Sequence, residues 1–210
     1  MSFSINSDLS ENVAYNRPLF PAYAKRGLLS TYPNYSAVSH WHDDIEMNIL
    51  LSGGMDFNVN GEVVKLKKGI LINSRQLHYG FYKSRQECEF LCLLFHPGLL
   101  CANDWFRSRY VMPFFAQHMP PYLILSDEIP WHSNIVNLAS ELFTAEESEL
   151  SPFLVQENFF RIFELLYRNF SGESVPVDSE QLECMRKMMG FIQKNYCSPI
   201  SLEQIARAGG

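Results

Sequence analysis

Three histidines and one glutamate are the residues of this chain whose types and spacing best suit chemistry. His40 and His42 lie two positions apart, so on a β-strand both side chains would point to the same face. Glu46 follows, and His78 comes after a later apolar run. Imidazole and carboxylate donors together suit Fe(II), Mn(II), Ni(II), Cu(II) or Zn(II). The same groups also suit hydrogen bonding to a polyol, a small acid or an aromatic amine.

The spacing resembles the first motif of cupin proteins, in which H-x-H is followed by three residues, a glutamate, six residues and a glycine. Glu46 and Gly53 complete that pattern here. In metal-binding cupins two such histidines, the glutamate and a later histidine hold one ion. His78 departs from the second cupin motif, because it stands nine residues after Gly69, about two short of the family's spacing, and no proline precedes it. From this departure we expect the barrel to hold no essential transition metal.

The last twenty-five residues contain a second signal, for DNA recognition. An apolar stripe at helical spacing ends at Tyr196, and a Cys-Ser-Pro break follows. A second helix is predicted to begin at Ser201, with Gln204 in a capping-box position, and to stop at Gly209-Gly210. The run F-I-Q-K-N-Y-x-x-P-I-S-L-E-Q-I-A resembles the opening of the DNA-binding domain in AraC-type bacterial transcription regulators. We expect it to be the truncated start of a helix-turn-helix, cut off before the recognition helix.

AraC-type sensor domains also resemble this chain in the patterns H-W-H-x-x-x-E and I-N-S-x-x-x-H. The two regions of resemblance are 39–81 and 185–209. The resemblance implies a regulator that is not an enzyme and needs no cofactor. It implies a cupin-like sensing and dimerisation domain over 1–170, a linker over 171–178 and the truncated helix-turn-helix start over 179–210. It also implies a small-molecule effector, with sugars common in the family, and promoter DNA as a partner of the full-length protein.

The predicted ligand-binding residues are those that a barrel mouth would bring together: His40, His42, Glu46, His78 and Tyr79. An alternative is a metal-dependent cupin enzyme, a dioxygenase or isomerase, which would use the same histidines around an ion with an open coordination position. Such an enzyme has no use for the C-terminal run, which favours the regulator. A third reading is a dimerisation module whose barrel is filled and binds no ligand.

The pattern of short apolar runs along the sequence predicts a mainly β fold with added helices. Short apolar runs between 37 and 95 alternate with glycine turns, and Asn60-Gly61 is a strong hairpin signal. This pattern is typical of a small β-barrel or jelly roll. The motif resemblance given above implies a cupin-like barrel of about residues 10–100 that is completed by Tyr122–Leu125. Residues 1–35 are predicted to form an arm or an edge strand.

Helices are predicted to pack outside the barrel. Residues 103–117 suggest an irregular helix broken at Pro113, and Trp131 begins a stripe at helical spacing. The helix predicted from Ser151 carries phenylalanines on more than one face. Because an exposed apolar surface of that kind usually marks association, we expect a homodimer through these helices.

Composition limits the possible classes of function. The 210 residues, 47% of them hydrophobic, suffice for one domain with a sizeable core. DNA binders are usually basic, so at a net charge of −6 we expect the fragment itself not to bind DNA specifically. The five cysteines form no C-x-x-C pair, and no segment resembles a secretory signal or a membrane span. These features predict a cytoplasmic protein with reduced thiols and no membrane partner.

Overall fold

The strands form two antiparallel sheets that face each other, in a computed structural model that describes residues 4–144, 152–170 and 179–210. The strands are β1 (Ala22–Leu28), β2 (Ile45–Ser52), β3 (Asp56–Val59), β4 (Glu62–Lys65), β5 (Gly69–Ile72), β6 (His78–Phe81), β7 (Glu89–Phe95) and β8 (Tyr122–Leu125). The larger sheet has the order β1-β7-β2-β5-β8, and the smaller has the order β4-β3-β6. The predicted cupin-like jelly roll, completed by β8, is confirmed.

Strand β2 sends alternate side chains into two different environments. Ile45, Met47 and Ile49 join the core between the larger sheet and the helices. Glu46 and Asn48 point the other way, into the space between the two sheets. Successive side chains of a strand point to opposite faces, so this register places two polar groups inside the barrel.

Two local features of the barrel follow directly from the sequence. Asn60 and Gly61 take φ angles of 52° and 89°, the left-handed pair that a two-residue hairpin between β3 and β4 requires. The N–H of Gly61 donates to Oδ1 of Asn58 at 3.0 Å. Residues 22–28, left open between an arm and an edge strand, form the edge strand β1 and pair with β7.

The helices are α1 (Asp104–Phe106), α2 (Pro130–Thr144), α3 (Pro152–Phe170), α4 (Ser179–Asn195) and α5 (Leu202–Gly209). Wide π-helical turns over Arg107–Val111 and Phe114–His118 lie on either side of Pro113, which has no N–H to donate. The predicted irregularity is confirmed, but the predicted break is wrong, because Pro113 keeps helical backbone angles and the helix continues through it. Among the described residues, no helix is long and apolar enough to cross a membrane.

Helix α5 begins with the capping box that the sequence predicts. The Gln204 N–H donates to the Ser201 hydroxyl oxygen at 3.3 Å, and the Ser201 N–H donates to Oε1 of Gln204 at 2.8 Å. The predicted linker, 171–178, lies outside the described residues. The domain boundaries therefore stay a prediction.

Helix α3 is covered on two sides by its own chain. Phe159 stacks on Phe95 of the larger sheet, with ring centroids 4.2 Å apart. Phe163 meets Phe114 edge-on at 5.4 Å, so the irregular segment after α1 covers a second face. Phe153, in contrast, is 85% exposed. Much of the apolar surface that suggested dimerisation is thus buried within the chain, and the homodimer stays a prediction.

Candidate functional site

Four of the predicted site residues meet where the two sheets join. His40 and His42 lie in the extended segment that leads into β2, and Glu46 lies on β2. His40 and His78 of β6 exchange two backbone hydrogen bonds, His40 N to His78 O at 3.1 Å and His78 N to His40 O at 2.9 Å. These four side chains, here named the histidine cluster, therefore link the larger sheet to the smaller one.

The donor atoms of the histidine cluster converge on one carboxylate oxygen. Oε2 of Glu46 lies 3.0 Å from Nε2 of His42, 3.0 Å from Nε2 of His78 and 3.9 Å from Nε2 of His40. All four residues are buried, with exposures of 1% to 6%. Such burial excludes bulk water from the cluster, so its polar atoms must satisfy one another or a bound group.

Each imidazole is oriented by a backbone carbonyl. Nδ1 lies 2.8 Å from the oxygen of Val38 in His40, 3.0 Å from that of Asp44 in His42, and 2.7 Å from that of Gln76 in His78. A carbonyl oxygen only accepts, so each Nδ1 carries a proton. In a neutral imidazole Nε2 is then a lone-pair acceptor. Fixing the second ring nitrogen in this way is typical of histidines that bind metals.

The Glu46 side chain is held as an ionised carboxylate. Burial would raise the pKa of Glu46, but the charge of His78 and hydrogen bonds with the three imidazoles hold that pKa well below its usual range. Nδ2 of Asn48 donates to Oε1 of Glu46 at 2.5 Å. The cluster therefore needs positive charge between Oε2 and the Nε2 atoms, either as further protons on the imidazoles or as a bound cation.

The spacing of the donors fits a metal ion. The four ligand atoms all lie within 4.8 Å of one another. An ion bound at about 2.1 Å places neighbouring ligands about 3.0–3.4 Å apart. The distances of 3.0 Å from Glu46 to His42 and His78 match this spacing, and His40 is farther away at 3.9 Å. An ammonium group fits the same space less well than a metal ion. Its nitrogen would lie about 2.8 Å from each acceptor, so the acceptors would have to be farther apart than they are here. His40, His42, Glu46 and His78 would therefore hold the ion, which as a Lewis acid would polarise a bound oxygen.

His78 reaches the cluster in spite of its short distance in sequence from Gly69. The turn between β5 and β6 is tight because Arg75 takes a left-handed φ of 64°. Its N–H donates to the carbonyl oxygen of His42 at 2.7 Å, which ties the turn to the cluster. Our expectation of a metal-free barrel rested on the sequence spacing, and the position of His78 removes the structural basis of that expectation.

Tyr79 does not join the other predicted site residues. It follows His78 directly on β6, so its side chain points to the opposite face of the strand. There it lies in a surface hollow beside Phe81, with ring centroids 5.6 Å apart. Strand alternation, the same rule that places His40 and His42 together, separates Tyr79 from His78.

A cavity of about 280 Å³ lies between the sheets beside the histidine cluster. At its polar end are Glu11, His40, Glu46 and Asn48. Most of its wall is apolar or aromatic, formed by Leu29, Tyr32, Met55, Phe57, Phe90 and Leu94. A barrel of this kind holds one small ligand, so the filled-barrel reading does not fit the cavity.

Sequence reasoning did not identify several residues that line this cavity. Tyr23 and Lys25 come from β1, whose place in the sheet depends on pairing with the distant β7. Tyr23 and Lys25 are two positions apart on β1, so strand alternation could have indicated that both side chains lie on one face. Glu11 belongs to the N-terminal segment, carries no motif, and lies 3.5 Å from Nε2 of His40 through its Oε2 atom. No local pattern in the sequence indicates that contact.

Comparisons with known proteins agree on one family. The family model described as AraC-like ligand binding domain matches residues 24–185. A relative from Bacillus subtilis (strain 168), named as the uncharacterized HTH-type transcriptional regulator YdeC, is 26% identical over 215 residues, which span 99% of this chain and 73% of that protein.

Solved structures similar to this chain include ToxT and a dioxygenase. ToxT from Vibrio cholerae has a TM-score of 0.48 and 11% identity, covering 89% of this chain and 70% of that one. Salicylate 1,2-dioxygenase from Pseudaminobacter salicylatoxidans has a TM-score of 0.32 and 20% identity, covering 36% of this chain and 22% of that one. The family model matches most of the chain, and the relative's name agrees with it. The chain therefore belongs to the family of AraC-like ligand-binding domains and is a ligand-sensing domain of a transcription regulator.

Proposed function

We propose that one small molecule binds in the cavity between the two sheets and thereby changes DNA binding by a C-terminal helix-turn-helix domain. The observation that carries this proposal is the cavity itself, which has a size suited to one small ligand and a polar end beside the histidine cluster. His40 and Glu46 line the cavity and are proposed to contact the ligand. His42 and His78 lie behind them and hold them in place. Tyr79 is not proposed as a contact of this ligand.

The cavity lining favours an effector with both a polar and an apolar side. Acceptor atoms at the polar end suit the hydroxyl groups of a polyol, and the aromatic wall suits the face of a sugar ring. Lys25 adds a cation at the cavity wall, which would suit a small acid. A sugar therefore stays the first candidate, and a small carboxylic acid is the competing one.

The proposed mechanism is a population shift. Residues 12–14 of the N-terminal segment also line the cavity, so a ligand touches a part of the chain outside the two sheets. A ligand that binds one arrangement of this segment more tightly shifts the protein toward it. The full-length regulator is proposed to act in the cytoplasm on promoter DNA, as a homodimer that reads two half-sites.

A thermal-shift screen with sugars, organic acids and aromatic amines tests the proposal. A ligand at 100 times its Kd stabilises the folded state by about 2.7 kcal/mol, which for a chain of this size raises Tm by about 5–10 °C. Lys25→Met should remove the shift for an acid and keep it for a sugar. Lys67→Met is the matched control, since Lys67 pairs with Glu128 outside the cavity lining.

A second assay connects binding to regulation. A ligand that raises Tm should change the affinity of the full-length protein for promoter DNA in a gel-shift titration. Unchanged DNA affinity at saturating ligand contradicts the regulatory proposal. A complete absence of stabilising ligands in the screen contradicts the ligand-binding part of it.

A metal-dependent enzyme is the second candidate, and the convergence of four metal-binding side chains beside a cavity favours it. The B. subtilis relative is named as a transcription regulator, so we infer that this chain is not an enzyme. Mass spectrometry of the ligand after incubation with metal-loaded protein separates the two. The regulator returns the ligand unchanged, and the enzyme converts it.

A further inference from the structure

Glu11 brings a second, half-buried carboxylate to the histidine cluster from outside the barrel strands. The Glu11 N–H donates to the carbonyl oxygen of Trp41 at 2.8 Å, and the Trp41 N–H donates to that of Leu9 at 3.0 Å. This pairing runs the N-terminal segment beside the strand between His40 and His42. The Glu11 side chain, 14% exposed, points to the cavity end of the cluster, where its Oε2 lies 3.5 Å from Nε2 of His40.

The surroundings of Glu11 call for a cation. Glu11 lines the cavity together with His40 and Glu46. Two carboxylates and three imidazole Nε2 atoms then share one small, buried space. A buried charge is costly unless it is paired or coordinates a metal.

Charge balance is compatible with a divalent ion. Two ionised carboxylates carry a charge of −2, which one divalent metal ion neutralises when the three imidazoles are neutral. The separation of 3.5 Å between Glu11 and His40 is close to the spacing of about 3.0–3.4 Å between neighbouring ligands on an ion bound at about 2.1 Å. Glu11 lies outside the four ligand atoms that are all within 4.8 Å of one another, so it must move toward the cluster to become a ligand.

We infer that Glu11 is a fifth donor to a divalent metal ion held by His40, His42, Glu46 and His78, and that the ion fastens the N-terminal segment over the cavity. Glu11 lies on the cavity side of the cluster, where an enzyme keeps a coordination position open for its substrate. A protein carboxylate in that position makes the ion a structural link between the barrel and residues 4–14. The inference rests on the cluster and not on which effector the cavity binds.

Metal titration of the 210-residue chain tests the inference. Protein purified without a metal-affinity step is stripped with a chelator and titrated with Co²⁺ and Zn²⁺ by calorimetry. We expect one ion per wild-type chain and none for Glu46→Gln. Glu11→Gln keeps the shape of the side chain and should weaken binding by about 10–100-fold, the range seen when a partner of a metal site is removed. Glu128→Gln removes an exposed carboxylate paired with Lys67 and is the matched control.

Two further measurements report on Glu11 itself. Loss of a carboxylate donor should change the visible absorption spectrum of bound Co²⁺ in Glu11→Gln and not in Glu128→Gln. Bound metal should slow amide hydrogen exchange over residues 4–14 in the wild type and leave it unchanged in Glu11→Gln. If Glu11→Gln does not fold, the effect of metal on amide hydrogen exchange over residues 4–14 of the wild type is the deciding measurement.

The outcomes separate the parts of the inference. Wild-type protein that binds no divalent ion overturns it completely and leaves the proposed regulatory function standing. Equal affinity, spectrum and exchange in Glu11→Gln and wild type overturn the role of Glu11 and leave a four-residue site. If amide hydrogen exchange over residues 4–14 is the same with and without metal, the proposed link between the ion and the N-terminal segment is overturned.

Discussion

Arg186 of helix α4 provides the sharpest test of how the sensing barrel is connected to the C-terminal helices. Its guanidinium lies 4.6 Å from the ring centroid of Trp41, the residue between the two histidines of the H-x-H motif. Its Nη2 donates to the carbonyl oxygen of Arg75. Arg75 in turn donates its N–H to the carbonyl oxygen of His42. Helix α4 is therefore fastened to the same turn that holds the histidine cluster.

Replacing Arg186 with Met keeps most of the aliphatic stem and removes the charge. The variant loses a cation–π contact of about 0.5–2 kcal/mol and a charge-assisted hydrogen bond of about 1.5–3 kcal/mol. Part of this loss is offset, because Nε of Arg186 is buried with no hydrogen-bond partner in the described part of the chain. We expect a net loss of about 1–3 kcal/mol, or 5–150-fold, in the equilibrium that docks α4 on the barrel.

Amide hydrogen exchange measures this equilibrium directly. In Arg186→Met the amides of α4 should exchange faster by that factor, while those of β2 and β7 keep their protection. Lys187→Met is the matched control, because it removes the same charge from the neighbouring exposed position of the helix. Equal exchange in the two variants, or faster exchange in the barrel strands as well, would refute the reasoning.

Three further predictions concern stability and assembly. Phe159→Ala should destabilise the protein by about 3–5 kcal/mol in urea unfolding, because the ring is fully buried on Phe95, whereas Phe153→Ala, at an exposed position, should stay within about 0.5 kcal/mol. Equal effects would contradict the described packing of α3. Ser201→Ala should weaken α5 by about 0.5–2 kcal/mol through loss of its cap, seen as faster amide exchange in that helix and not in α4. Sedimentation equilibrium at micromolar concentration should show a homodimer, and a strictly monomeric chain would remove that prediction.

Local patterns predicted much of this fold and part of the site. The H-x-H pair, the hairpin at Asn60-Gly61 and the capping box at Ser201 each depend on residues close together in sequence, and each has the predicted form. Such features follow from strand alternation and helix-end chemistry, which need no distant partner. Alternation would also have separated Tyr79 from His78 had it been applied to β6.

Contacts between residues far apart in the sequence set the positions of His78 and Glu11, which the sequence alone did not indicate. The length of the sequence between Gly69 and His78 suggested a defective site, but the left-handed turn at Arg75 restores the position of the histidine. Glu11 reaches the cluster because the N-terminal segment pairs with Trp41, some thirty residues along the chain. A count of residues between motif positions does not encode either contact.

The position of the turn between β5 and β6 explains why a change in the cavity would reach α4. His42 accepts a hydrogen bond from Arg75, whose carbonyl accepts one from Arg186, so the cluster and α4 are bonded to opposite sides of one peptide segment. Packed interiors resist continuous deformation, and a small shift at such a segment favours one of two discrete contacts. We therefore predict that a ligand or ion that moves His42 also changes the docking of α4 through this segment. Trp41 offers a second connection between the N-terminal segment and α4. Its backbone is hydrogen-bonded to the N-terminal segment, and its ring contacts Arg186.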